Sequence, residues 1–161
     1  MSESDRDWHE RARAELLRVR GDRGGWGYRK DAVDGVEPTA LACLGLLASR
    51  DAPGSNLGAD ANEGTDQVSG AVTSATFWLA TIQGADGSLG LTQTQLTPGW
   101  TTPLAVLVWQ ALNVHETSRR RAVDWLLRQE GKRMSAADDP EKIVGHDTSL
   151  AGWPWVVDTH S

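Results

Sequence analysis

The chain has a single cysteine, Cys43. No internal disulfide can therefore form, and nothing demands an oxidising compartment. It has one phenylalanine, Phe77, and one tyrosine, Tyr28, against eight tryptophans. Its longest apolar stretches, around Leu41 to Ala48 and Leu104 to Trp109, fall short of the ~20 residues that a spanning helix needs. It also lacks positive charge: 16 Lys and Arg face 22 Asp and Glu, for a net charge of −6. Nucleic acid, which calls for a basic face, is not an expected partner. The opening MSESDRDWHERARAE is charged and has no apolar core, so it does not read as a secretory leader. A cytoplasmic location without a transmembrane segment is the expectation. No P-loop, nucleophile elbow or dinucleotide fingerprint occurs in a suitable context; GDRGGWG is glycine-rich but precedes no strand–loop–helix unit.

What the chain does have is a recurring unit. An amphipathic helix leads into a Gly-rich loop, and the loop leads into a nearly all-apolar helix. AELLRVRGDRGGWGY…VEPTALACLGLLAS is the first copy, and SATFWLATIQGADGSLGL…GWTTPLAVLVWQAL is the second. A third begins at RRAVDWLLRQEGK and runs to LAGWPWVVDTHS, where a sixth helix would be due. Helix pairs of this kind bury their apolar faces on one another. The pattern predicts an all-α single domain over 1–161, with units near 4–50, 69–115 and 118–161. The first helix of each pair, with Trp8, Ala12, Leu16 and Val19 on one stripe, should lie outside. The second, opened by Pro38 or Pro103 and apolar all round, should lie inside, buried on every side. The polar stretches 51–68 and 132–145 read as flexible loops, and Arg119, Arg120 and Arg121 as a solvated first helical turn.

The segment FWLATIQGADGSLG, with Gln83, Asp86 and Gly87, resembles the QW repeat of squalene and hopene cyclases. VEPTALACLGLL and LAGWPWVVDTHS resemble bacterial proteins carrying the prenyltransferase and squalene-oxidase repeat. The resemblance covers most of the chain. It implies an α/α toroid, here a partial one of about five helices, with Gly/Trp-rich loops between an inner and an outer ring. It also implies repeat-structural roles for Trp26, Gln83, Gly87 and Gln129, the Gln amide bridging helix ends that would otherwise leave polar groups unpaired. Each copy departs from the pattern. Arg20 stands where the first Gln is expected, Leu89 replaces the second Trp, and an insertion separates Gln129 from Trp153. The chain supplies fewer helix pairs than a closed ring needs. A partial ring exposes inner-helix surface, which predicts self-association or a C-terminal continuation.

The resemblance also directs attention to chemistry. Cyclases that begin by protonation carry an acid motif at an inner-helix start, and the matching place here is VEPTA. Its one carboxylate, Glu37, is a candidate acid. It equally suits the positive end of the helix dipole. Asp158 and His160 hold the analogous place in the third copy. Asp138 and Asp139 read as a solvated loop pair. Cys43 sits in an apolar helix, and His9, His115, His146 and His160 lack ligand spacing, so no metal and no cofactor are expected. Trp100, Trp109, Trp153 and Trp155 fall on or near inner helices, where they would line a cavity for an isoprenoid or similar apolar ligand, or pack between repeats. Two functions are therefore expected: a cyclase- or prenyltransferase-like protein that handles an isoprenoid, and a non-catalytic helical-repeat module for protein interaction or assembly.

Overall fold

The computed structural model describes residues 3–50 and 61–131. These form five helices: α1 (Glu3–Arg18), α2 (Val36–Arg50), α3 (Ala61–Thr81), α4 (Thr101–Leu112) and α5 (Glu116–Leu127). Among the described residues no strand forms; two isolated bridges, Trp26 to Gly35 and Gly35 to Thr92, tie loop to loop. The protein is all-α, as its periodicity predicts. Pro38 and Pro103 lie in the first turns of α2 and α4, where a missing N–H costs nothing. Asn113, at φ 53°, closes α4 in the left-handed region, and the Val114 N–H returns to the Trp109 carbonyl at 3.1 Å.

One expected loop is helix. Residues 61–68 form the opening turns of α3, which starts at Ala61. Gly64 and the run of polar residues hide the stripe there, yet Val68 is buried and continues it through Ala71, Val72 and Ala75. Acidic residues early in a helix are also favourable at its N-terminus. Residues 51–60 and everything after Gly131, including the expected loop 132–145, lie outside the described residues.

The first two units repeat the same turn and latch hydrogen bonds, 63 positions apart (21 to 84, 39 to 102). The Gly21 N–H donates to Gly25 O at 2.8 Å and the Gly24 N–H to Gly21 O at 3.0 Å; the Gly84 N–H donates to Ser88 O at 2.8 Å and the Gly87 N–H to Gly84 O at 3.0 Å. Gly24 and Gly87 have φ of +94° and +100°, a region open to glycine and strained for other residues. In both loops the next residue but one is latched to the following helix. The Trp26 N–H donates to Thr39 Oγ1 at 2.8 Å, and the Leu89 N–H to Thr102 Oγ1 at 3.0 Å. Each hydroxyl donates back to the carbonyl of the residue it holds, at 3.3 Å. Both threonines are buried, so each latch satisfies a polar group that burial would otherwise leave unpaired.

The two hydrophobic clusters obey the same relation. One gathers Trp26, Ala42, Cys43, Leu46 and Val108 with residues of α3; the other gathers Val36, Trp78, Leu79, Leu89, Ala105, Trp109 and Ala122. Shifted by 63, Trp26 becomes Leu89 and Leu46 becomes Trp109. A large loop residue over a small helix residue is exchanged for a small one over a large one. Total volume is thereby held while shape is redistributed, the kind of change that cores tolerate best. Both indoles also use their N–H on a carbonyl of the first helix of their unit, α1 or α3: Trp26 Nε1 donates to Leu16 O at 2.7 Å and Trp109 Nε1 to Thr76 O at 3.3 Å.

Neighbouring units are joined through loop 2 (82–100, between α3 and α4), the counterpart of loop 1 (19–35, between α1 and α2). Gln83 Nε2 donates at 2.8 Å both to Gly87 O in its own loop and to Ser118 O in the first turn of α5. Arg121 Nη2 donates to Gly84 O at 2.7 Å and to Ala85 O at 2.9 Å, and Arg119 donates to Gln110 Oε1. The arginine run at the start of α5 is therefore not merely solvated: it grips the preceding unit. Asp86 braces the loop from within, accepting the Ser88 N–H and hydroxyl. Burial raises its carboxyl pKa most among the contributions, but these bonds together with the Trp125 side chain outweigh it and hold the group below its ordinary value.

α2 packs along α4, and α4 along α5; α1 and α3 lie against α2. Val108 is fully buried, and Leu44 packs partly buried on the first cluster. Burial on every side does not hold for these two helices, however. Leu41 is 52% exposed and Leu107 54% exposed. An all-apolar helix carries no polar face to mark its open side, so periodicity alone does not show it.

Candidate functional site

α2 and α4 pack on each other, and each carries an apolar strip along its open side. On α2, Glu37, Leu41, Leu44 and Ala48 recur at three- and four-residue spacing, which stacks them on one face. On α4, Trp100, Leu104, Leu107 and Ala111 do the same, each 63 positions after its counterpart. Leu41, Leu107, Ala48 and Ala111 are exposed, and Leu44 and Leu104 are half-buried. From Glu37 to Ala48 the helix rises about 16 Å.

The head of the α2 strip is polar. Glu37 lies in the first turn of α2. Its Oε2 accepts the Tyr28 hydroxyl from loop 1 and the Trp100 Nε1 at 3.3 Å from the start of α4. Trp100 stands at the N-cap position of α4 without a side-chain cap bond; its indole N–H serves Glu37 instead. Two loops from successive units thus converge on one carboxylate. No cation pairs with Glu37 among the described residues; the ion pair found there is Arg18 with Glu15. Both neighbours donate to the same carboxylate oxygen of Glu37.

The phenol pKa of Tyr28 is pushed up to about 12, by desolvation first, then by the hydrogen bond to Glu37 and its charge. The ring is nevertheless 65% exposed, so the Glu37 contact is the part that a substitution removes. Stability from this shift is fully present below the unfolded value near 10. It is lost as pH rises through about 12. Tyr28 is the only tyrosine, so phenolate absorbance reports it alone. The midpoint is expected near 12 in the native chain and closer to 10 in Glu37→Gln; equal midpoints would show that Glu37 does not govern Tyr28.

Of the residues expected from sequence, Glu37 and Trp100 come together. Trp109 does not join them: it is fully buried in the second cluster and bonded to Thr76. Trp26, Gln83 and Gly87 take part in the loop architecture described above. Gln129 Nε2 turns back to Trp125 O on its own helix at 3.0 Å. Trp153, Trp155, Asp158 and His160 lie outside the described residues. Cys43 is buried and its thiol is pushed up to about 12 by desolvation, which disfavours the thiolate a metal or an electrophile requires. Among the described residues no group of three or more His, Cys, Asp or Glu could hold a metal ion, and no helix is long and apolar enough to cross a membrane.

Sequence reasoning missed Tyr28, Leu41 and Leu107 as site residues. The signal for Tyr28 was its place two residues after Trp26, matching Leu91 two residues after Leu89. A separate cleft of about 410 Å³ opens behind loop 1. Arg18, Arg20, Arg23, Arg29 and Lys30 line it together with Asp22, Asp31 and Asp34. Comparison with protein-family models, with curated proteins and with solved structures returns no match for this chain.

Proposed function

We propose that this protein is a segment of an α/α toroid of the squalene-cyclase and prenyltransferase-repeat kind, and that it binds an elongated apolar ligand such as an isoprenoid along the open faces of α2 and α4. The observation that carries this reading is the exposure of Leu41 and Leu107 on helices whose other side is core. Apolar surface left in water on these helices costs free energy that an apolar ligand would recover, at about 25 cal/mol per Å² covered. The paired repeat units support the toroid, since stacked helix hairpins with one shared layer are its building blocks. Binding is assigned here, and turnover is not.

The test is titration with a soluble short-chain polyprenyl alcohol, followed by tryptophan fluorescence and calorimetry. Saturable binding is expected, weakened at least tenfold by Leu41→Asp or Leu107→Asp, since an introduced carboxylate must be desolvated against the chain. Folded variants that bind as well as the parent would remove the strip from consideration.

A second reading, an assembly module, is supported by the α5 edge. Gln83 reaches forward to the next outer helix, whereas Gln129 folds back, and Leu127 is 72% exposed. Self-association through that edge would give a mass above the monomer by light scattering, reduced by Leu127→Glu.

A further inference from the structure

We infer that the polar end of the α2 strip selects a cation, so that the preferred ligand is a cationic amphiphile: an alkyl or isoprenyl chain with an ammonium head. This inference rests on the ligand-binding reading above and adds the class of the head group.

Three observations converge on it. Glu37 sits one helical turn before Leu41 on the same face, so its charge terminates the apolar strip. Both of its hydrogen-bond donors, the Tyr28 hydroxyl and the Trp100 indole N–H, are neutral aromatic groups that reach the same oxygen, Oε2. Among the described residues Oε1 accepts no hydrogen bond, and Arg23 is turned to Gln93. Among the described residues the site therefore presents a held carboxylate without a counter-charge at the end of a greasy track. An anionic head would meet that charge unfavourably, and a neutral alcohol would gain only a hydrogen bond. An ammonium would gain the charge interaction at Oε1 and contact with the exposed Tyr28 ring, a combination in which cation–π attraction adds to the ion pair. The chain's net charge of −6 also favours the approach of cations over anions.

The test compares three probes of one chain length on the full chain, each below its micelle concentration: decyltrimethylammonium, decanol and decyl phosphate. Calorimetry is expected to rank the ammonium roughly tenfold tighter than the alcohol, with the phosphate weakest. Glu37→Gln keeps an acceptor for both aromatic donors and removes the charge. It is expected to bring the ammonium down to the affinity of the alcohol, with alcohol binding unchanged. Raising the salt concentration should shrink the preference in the parent only. Should the three probes bind alike, or the phosphate bind best, the head-group inference falls and the apolar strip stands. Absence of binding by all three removes both. Persistence of the ammonium preference in folded Glu37→Gln would place the cation elsewhere and overturn the inference. If that variant does not fold, the probe ranking on the parent and its salt dependence decide alone.

Discussion

Trp109→Ala is expected to lower the free energy of unfolding by about 3–5 kcal/mol. The indole is fully buried at the centre of the second cluster, and its removal leaves a cavity that α3, α4 and α5 can only partly close. For a domain whose total stability is of the order of 5–15 kcal/mol, that loss is a large fraction. The repeat relation makes a sharper experiment possible. In the first unit the Trp is on the loop, at Trp26, and the helix carries Leu46; in the second unit the loop carries Leu89 and the helix the Trp. Trp109→Leu alone underpacks the second cluster. Leu89→Trp alone overpacks it, at about 1–3 kcal/mol. Together they rewrite the second core in the arrangement of the first. The double variant is expected to recover about 1–3 kcal/mol relative to the sum of the singles. Urea unfolding followed by circular dichroism measures all four corners of the cycle. Strict additivity would mean that the two positions do not share a space, and the inferred exchange of volume would be wrong.

That exchange shows how much the sequence discloses and where it stops. The two proline-opened helices and their Gly-rich loops are readable because each follows a local rule: a fixed φ at the first turn, a small residue where the chain reverses. Leu89 and Trp109 read separately from sequence, one as a missing Trp and the other as a Trp for a cavity wall or for packing between repeats. Nothing local says that one answers the other across twenty residues; the compensation exists only once both meet in one cluster. The start of α3 is hidden for a different reason. Asn62, Glu63, Gly64, Thr65 and Asp66 hold no apolar residue, so the helix becomes apparent only at Val68 and the apolar positions after it. The candidate site is half legible. Glu37 and Trp100 stand out by position, one at an inner-helix start and one before a proline-opened helix. Their meeting depends on α2 lying along α4, a long-range contact, and Tyr28 joins them through a loop whose path no periodicity describes. The open face of α2 and α4 is the least legible feature, because a helix apolar on every side offers no contrast from which to read an orientation.

Gly87→Ala is expected to be clearly more damaging than Gly24→Ala, its internal control. The two glycines are equivalent by the repeat and share a positive φ, so each substitution carries the same conformational cost of about 1–2 kcal/mol. They differ in what a methyl group would meet. At Gly24 the nearest atom is the Ser74 Cβ at 3.2 Å, on an exposed turn of α3 that can give slightly. At Gly87 the methyl would run into the Arg121 carbonyl oxygen, with that residue's carbonyl carbon at 2.7 Å. This obstacle is helical backbone, already anchored by the Gln83 bridge to Ser118 and by Arg121 on loop 2. Relief requires α5 to move away from the loop, which lengthens those bonds as well. An added cost of about 1–3 kcal/mol is expected on top of the conformational one, so Gly87→Ala should lose roughly twice as much stability as Gly24→Ala. Because the bonds between units lie at the collision, hydrogen exchange in α5 should speed up more than exchange in α2. If the two substitutions cost the same, backbone conformation alone sets the penalty and the close approach of α5 to loop 2 is not what joins the second unit to the third.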